Sequence, residues 1–266
     1  NKVYKNIPNN SFSNLIITNL LDLSKNKISF IEANAFLNFH NSVQKLKLSD
    51  NYLENEIQFN MKYLTNLMEL DLSLNRLKII KKRTFNELIN LELLNLASNR
   101  IIEIEINSFQ NLILLKRLQL DTNLLNECTL GDLKNLNKLE LIDFSRNNIE
   151  NLTQTYLDQF NSPSLLMLSY NKIIKLSKFE NLIKLNTLNL YGNYLNSIEN
   201  DTFKNMSDLN ILNLGKNQIE FLSSKSFQTL FNLVEVILYQ NSLRTIFGCS
   251  FENLTKLERL YLNENK

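Results

Sequence analysis

Residues equipped for covalent or metal chemistry are scarce in this sequence. It has one histidine, His40, and two cysteines, Cys128 and Cys249. A metal centre built on His or Cys needs several of them at short spacing, and that pattern is absent. No phosphate-cradling glycine loop and no Cys-x-x-Cys pair occurs. The carboxylates are scattered, and the basic run Lys81, Lys82 and Arg83 reads as solvated surface. Catalytic residues, metal ligands and cofactors are therefore not expected, nor is an enzyme. The chemistry that remains is recognition. Tyrosine gives large contact area at low entropy cost and keeps a polar tip. Five of the nine tyrosines, Tyr170, Tyr191, Tyr194, Tyr239 and Tyr261, recur with Met167 and Ile237 at related spacings.

Those spacings come from a repeat. Residues 67–90, LMELDLSLNRLKIIKKRTFNELIN, form a 24-residue unit. Leu67, Leu70, Leu72, Asn75, Leu77, Ile80, Phe85 and Leu88 take its positions 1, 4, 6, 9, 11, 14, 19 and 22. The asparagine of position 9 recurs as Asn26, Asn51, Asn75, Asn99, Asn123, Asn147, Asn171, Asn193, Asn217, Asn241 and Asn265. Leucines at 4 and 6 between variable residues mark a short strand with one buried face. Each repeat returns the chain to the same place, so successive strands run parallel, and neighbouring turns must stack to bury a shared core. The asparagine sits where the chain leaves the strand. Its amide carries both an acceptor and a donor, so it can bridge backbone groups of adjacent turns that would otherwise be buried unpaired. A Phe row at position 19 (Phe36, Phe85, Phe109, Phe179, Phe203, Phe227 and Phe251) fills the far side of each turn, with Met61, Leu133 and Leu157 substituting in three repeats.

This pattern resembles the leucine-rich repeat family, whose core is L-x-x-L-x-L-x-x-N-x-L. The resemblance covers nearly the whole chain. The 24-residue length with Phe at position 19 is similar to the typical class found in Toll-like receptor, Slit-type and insect surface ectodomains. The resemblance implies an α/β-type solenoid, or horseshoe. It would have a parallel sheet on the concave face and mostly irregular or short helical turns on the convex face. The concave face is the family's usual partner surface. In the first five repeats its outward positions are mostly polar or charged, as in Asp22, Lys45, Lys47, Glu69, Asp71 and Arg117. In the last five, Met167, Tyr170, Tyr191, Tyr194, Ile237, Tyr239 and Tyr261 make it aromatic and apolar, and an exposed patch of that kind asks for a partner.

The organisation expected is one solenoid over residues 1–266. Residues 1–17 are a lead-in, residues 18–256 hold about ten full repeats, and residues 257–266 are a partial eleventh. An uncapped last turn would expose core, so the natural chain is expected to continue in that direction. Two places break the pattern. Glu56 takes the apolar position 14, with Ile57 beside it, and the repeat beginning at Pro163 has 22 residues. Cys128 occupies another position 14 and reads as a small buried hydrophobe, while Cys249 lies in a convex loop too far away to pair with it. A net charge of +2 suggests no polyanionic partner, and no apolar run is long enough to span a membrane.

Sequons stand at Asn9, Asn151, Asn200, Asn205 and Asn253, but 45 Asn and 33 Ser plus Thr would give about 5.6 by chance. The resemblance implies an extracellular or cell-surface fragment that binds a protein ligand or co-receptor, with dimerisation open and nucleic acid disfavoured. An intracellular scaffold and the recognition domain of a receptor kinase remain alternatives.

Overall fold

Alternating leucines, then an asparagine, make the chain run straight for three residues and turn. The computed structural model shows the result coil by coil. It describes residues 5–13, 15–17, 19–37, 39, 42–126, 133–153, 157, 158, 160, 163–179 and 181–266. His40 and Cys128 lie outside the described residues, as does part of the junction before Pro163. The coils group into two compact units, Asn1–Leu139 and Glu140–Lys266.

In the first unit, β1 (Leu20–Asp22), β2 (Lys45–Lys47), β3 (Glu69–Asp71), β4 (Leu93–Asn95) and β5 (Arg117–Gln119) pair in that order. In the second, β6 (Leu141–Asp143), β7 (Leu165–Met167), β8 (Thr187–Asn189), β9 (Ile211–Asn213), β10 (Glu235–Ile237) and β11 (Arg259–Tyr261) do the same. Among the described residues these pairings within a unit are parallel and in register, so that Leu70 meets Leu94 and Leu188 meets Leu212. Equal register means that each repeat position forms a row along the stack. The rows at positions 4 and 6 are buried, as in Leu70, Leu72, Leu94, Leu96, Leu188 and Leu190, while positions 3, 5 and 7 face outward. The architecture is a leucine-rich repeat solenoid.

The arcs opposite the strands hold the phenylalanine row. Phe85 stacks on Phe109 at 6.0 Å, Phe179 on Phe203 at 5.9 Å, and Phe203 on Phe227 at 6.3 Å. Met61, Leu133 and Leu157 are buried at the same position. Most arcs are turns, with a 3-10 helix at Met61–Tyr63 whose N-cap is Asn60. Short parallel pairs add to them at positions 13 and 14, for example Ile79–Ile80 with Glu103–Ile104 and Phe221–Leu222 with Thr245–Ile246. These pairs were not visible in the repeat pattern, because position 13 shares no residue type and position 14 reads as core.

Both irregular repeats are absorbed in the arcs. In the second repeat Glu56 and Ile57 are each half-buried, and it is Phe59 that turns inward, its ring edge-on to Phe36 at 5.3 Å. A hollow of about 230 Å³ remains among Phe30, Ile31, Leu53, Ile57 and Phe59. In the 22-residue repeat the shortening falls between Leu176 and Phe179, and the sheet keeps its register, with Leu166 opposite Leu188.

Candidate partner-binding surface

Three rows beside the strands decide what the sheet face can present. The first is the asparagine row. Asn75 is typical: its Oδ1 accepts from the Leu53 N–H at 3.0 Å, and its Nδ2 donates to the carbonyls of Leu48 at 2.9 Å and Leu72 at 3.1 Å. Asn51, Asn99, Asn171, Asn193, Asn217, Asn241 and Asn265 repeat this bridge between consecutive coils. Asn123 accepts from Ile101 and donates to Leu96, and Asn147 donates to Phe144 and Ser145. Asn26 donates to Leu23 and Ser24.

The second row is position 8, which lies in the left-handed region in every repeat. It comprises Lys25, Asp50, Leu74, Ser98, Thr122, Arg146, Tyr170, Gly192, Lys216, Gln240 and Glu264. The conformation aims the position 8 N–H at the next coil, as from Leu74 to the Ala97 carbonyl at 3.0 Å and from Tyr170 to the Tyr191 carbonyl at 2.7 Å. That inter-coil bond offsets a left-handed strain of about 1–2 kcal/mol in a residue with a Cβ.

The third row is position 5. Asp22, Asp71, Asn95, Asp143, Asn189 and Asn213 each accept the backbone N–H two residues on, at 2.8 to 3.0 Å. Asp22 and Asp71 read from the sequence as outward face residues, and the structure shows that each of the six also closes its own turn. The hydrogen bonds from the Ser24 hydroxyl and backbone hold the Asp22 carboxyl below its ordinary range.

The tyrosines cluster in the second unit. Tyr170 and Tyr191 meet edge to face at 5.3 Å, and Tyr191 and Tyr239 meet at 5.9 Å. Tyr191 and Tyr239 occupy position 7 two coils apart, a strand separation of roughly 9.6 Å, so the rings must lean toward one another. Gly215, at position 7 of the coil between, makes this possible: a Cβ there would sit 3.1 Å from Tyr191 Cδ2 and 3.3 Å from Ile237 Cγ2. Gly192 does the same for Tyr170, whose Cδ1 would be 3.0 Å from its Cβ. Burial, and then the neighbouring phenols of Tyr239 and Tyr170, push the Tyr191 hydroxyl well above the ordinary phenol range. The structure thus brings Tyr170, Tyr191, Tyr239 and Ile237 together. Tyr261, 40% exposed, lies in register beside Ile237, and Met167 is half-buried between Asp143 and Asn189. Tyr194, 50% exposed at position 10, stands outside the ring contacts described.

Charge is distributed differently on the two units. On the first, Lys45 pairs with Glu69 at 2.7 Å and Lys116 with Glu92 at 2.8 Å, while Lys47 and Arg117 have no carboxylate at ion-pair distance among the described residues. Lys81 of the basic run pairs with Glu105 at 3.2 Å. On the second, Arg146 lies 4.3 Å and the Lys216 ammonium 5.5 Å from the Tyr170 ring centre. Neither cation has a carboxylate at ion-pair distance among the described residues. The sequon asparagines Asn9, Asn151, Asn200, Asn205 and Asn253 are all exposed and lie off the strand rows. Cys249 is exposed and unpaired. Among the described residues no group of His, Cys, Asp and Glu could hold a metal ion, and no helix is long and apolar enough to cross a membrane.

A family model described as leucine rich repeat matches residues 41–101, 65–125, 183–238 and 208–266, well over half of the sequence. The chain belongs to the leucine-rich repeat family. No curated protein matches it by sequence. Among solved structures, this leucine-rich repeat chain is similar to TLR13 in its complex with ssRNA13, at a TM-score of 0.84 and 27% identity over 92% of this chain and 36% of that one. A leucine-rich repeat protein of Leptospira interrogans matches at 0.76 and 26% identity, over 91% of this chain and 59% of that one. A chain of the complex of Latrophilin 3, Unc5D and FLRT2, in which FLRT2 supplies the leucine-rich repeats, matches at 0.80 and 26% identity over 93% and 75%. The chain spans between about a third and three-fifths of the first two of these.

Proposed function

We propose that this domain is a protein-binding segment of a cell-surface or secreted receptor-type protein, and that its partner docks on the strand face of the second unit. The observation that carries the reading is the ring cluster of Tyr170, Tyr191 and Tyr239 beside Ile237, on a face whose core leucines point the other way. Rings packed on each other are already ordered, so a partner gains contact area without first immobilising them. Similarity to FLRT2, found in complex with other proteins, and to TLR13 supports a receptor-type role. The exposed sequons lie away from this face, so glycans on them would leave it open.

The test is a binding screen with the multimerised domain against arrayed secreted and cell-surface proteins. Tyr191→Ala and Tyr239→Ala should each weaken binding to a confirmed partner by ~1–3 kcal/mol. Gln119→Ala, at position 5 of the first unit and outside the set that closes turns, is the control. A partner that binds both tyrosine variants as tightly as the parent would place its site elsewhere. Asp22 and Asp71 are unsuitable controls, because each closes a turn.

A further inference from the structure

We infer that the face of the second unit takes an acidic protein segment, its carboxylates seated on Arg146 and Lys216 and its apolar side chains against Tyr191 and Tyr239. The inference rests on the partner-binding reading above and adds the chemistry of the partner. Its first support is where the cations sit. Three carboxylates of this face have partners other than these cations, although only one of them is an ion pair: Asp143 accepts the Ser145 N–H, Glu235 pairs with Arg259 at 2.9 Å, and Glu264 accepts from the Gln240 amide at 2.7 Å. Among the described residues Arg146 and Lys216 have no carboxylate at ion-pair distance, and both lie beside the apolar cluster.

The second support is geometry. A guanidinium laid over a tyrosine ring keeps its N–H edge free, and that edge matches a carboxylate with two parallel hydrogen bonds. Both cations lie over one ring, hence within about 10 Å of each other, while alternate side chains of an extended peptide are roughly 6.8 Å apart. Two carboxylates of one strand-like segment can therefore reach both. A base stacking on Tyr170 would compete with the cations already beside that ring.

The experiment is selection of a random peptide library of about twelve residues, displayed on phage, against the immobilised domain. Enriched peptides are then made with a fluorescein label and titrated by anisotropy. A single-stranded RNA of similar length is titrated alongside. Selected peptides should be rich in Asp and Glu around an apolar or aromatic residue. Arg146→Gln and Lys216→Gln should each weaken them roughly fivefold, as expected for loss of one solvent-exposed charge contact. Raising salt from about 50 to about 300 mM should weaken them further. Lys47→Gln, on the first unit, should change nothing.

Neutral or basic consensus peptides, or acidic ones indifferent to both cation variants, would overturn the inference, as would failure to enrich any peptide. If such neutral peptides are still lost in Tyr239→Ala, the tyrosine face stands and only the acidic partner falls. If they survive Tyr239→Ala as well, both readings fall. RNA binding that exceeds peptide binding and disappears in the cation variants would make the face a nucleic-acid surface and overturn the inference too.

Discussion

Replacing Asn75 by leucine tests what holds one coil to the next. The amide is 6% exposed and makes its bonds inside the stack. Leucine keeps the volume and removes them all. The damage is uneven. The Leu48 carbonyl still accepts from Asn51 at 3.1 Å, and the Leu72 carbonyl still accepts from Asn99 at 3.0 Å, so both keep a partner. The Leu53 N–H has only Asn75 Oδ1, so it alone is left buried without an acceptor. One orphaned buried donor costs about 1–3 kcal/mol, and each carbonyl that loses one of two donors costs a fraction of a normal bond. The expected destabilisation is ~2–4 kcal/mol. Asn196→Leu is the comparison, because Asn196 is exposed and its side chain accepts only from the Ser197 hydroxyl. Urea unfolding followed by far-UV circular dichroism should show a lower midpoint for Asn75→Leu and a near-unchanged one for Asn196→Leu. Equal midpoints would refute the assignment. A reduced slope would mean that the stack no longer unfolds as one transition.

Other expectations follow from the neighbouring rows. Leu74 is 55% exposed with a φ of 54°, so Leu74→Asn should raise the melting temperature by relieving roughly 1 kcal/mol of left-handed strain; a lowered melting temperature would contradict that account. Tyr191 holds its proton more tightly folded than unfolded, so its contribution to stability is complete below the ordinary phenol range and is lost as pH rises above it. Absorbance at about 295 nm should therefore show one phenol resisting ionisation until the chain unfolds, and Tyr191→Phe should remove that lag. Ile237→Asn should supply the missing acceptor for the Tyr239 N–H and stabilise the turn by about 0.5–1 kcal/mol, while weakening partner binding; unfolding and binding curves on the same sample read both signs.

The rows that the sequence displays are those made by side chains. Leucine at 4 and 6, asparagine at 9 and phenylalanine at 19 recur because packing and amide bridging need those groups, and the period follows from them. Position 8 shows nothing comparable. Lys25, Leu74, Thr122, Tyr170 and Glu264 share no property, since what fixes their conformation is a backbone N–H reaching the next coil. The tyrosine cluster was half legible. Its members could be placed on one face from their positions, but their mutual contact depends on Gly192 and Gly215, two of only four glycines in the chain. A glycine in register beside a tyrosine row was the available signal. The turn-closing role of Asp22 and Asp71 was hidden because the same residues suit a solvated face.

Position 5 is where fold and recognition compete for one residue. With Asp or Asn there, the side chain bends back to its own turn and presents little to a partner. Lys47 and Gln119 on the first unit and Met167, Ile237 and Tyr261 on the second forgo that bond, and only the last three are apolar or aromatic. The loss is spread over coils that keep their asparagine bridges, from Asn171 to Asn265, so the stack tolerates it. In the first unit three of the five position 5 residues close turns, and Lys45 pairs with Glu69. The second lacks turn closure at three positions, packs its rings over two glycines and holds two cations that have no carboxylate at ion-pair distance among the described residues. We propose that a partner contacting positions 5, 7 and 8 together accounts for these departures.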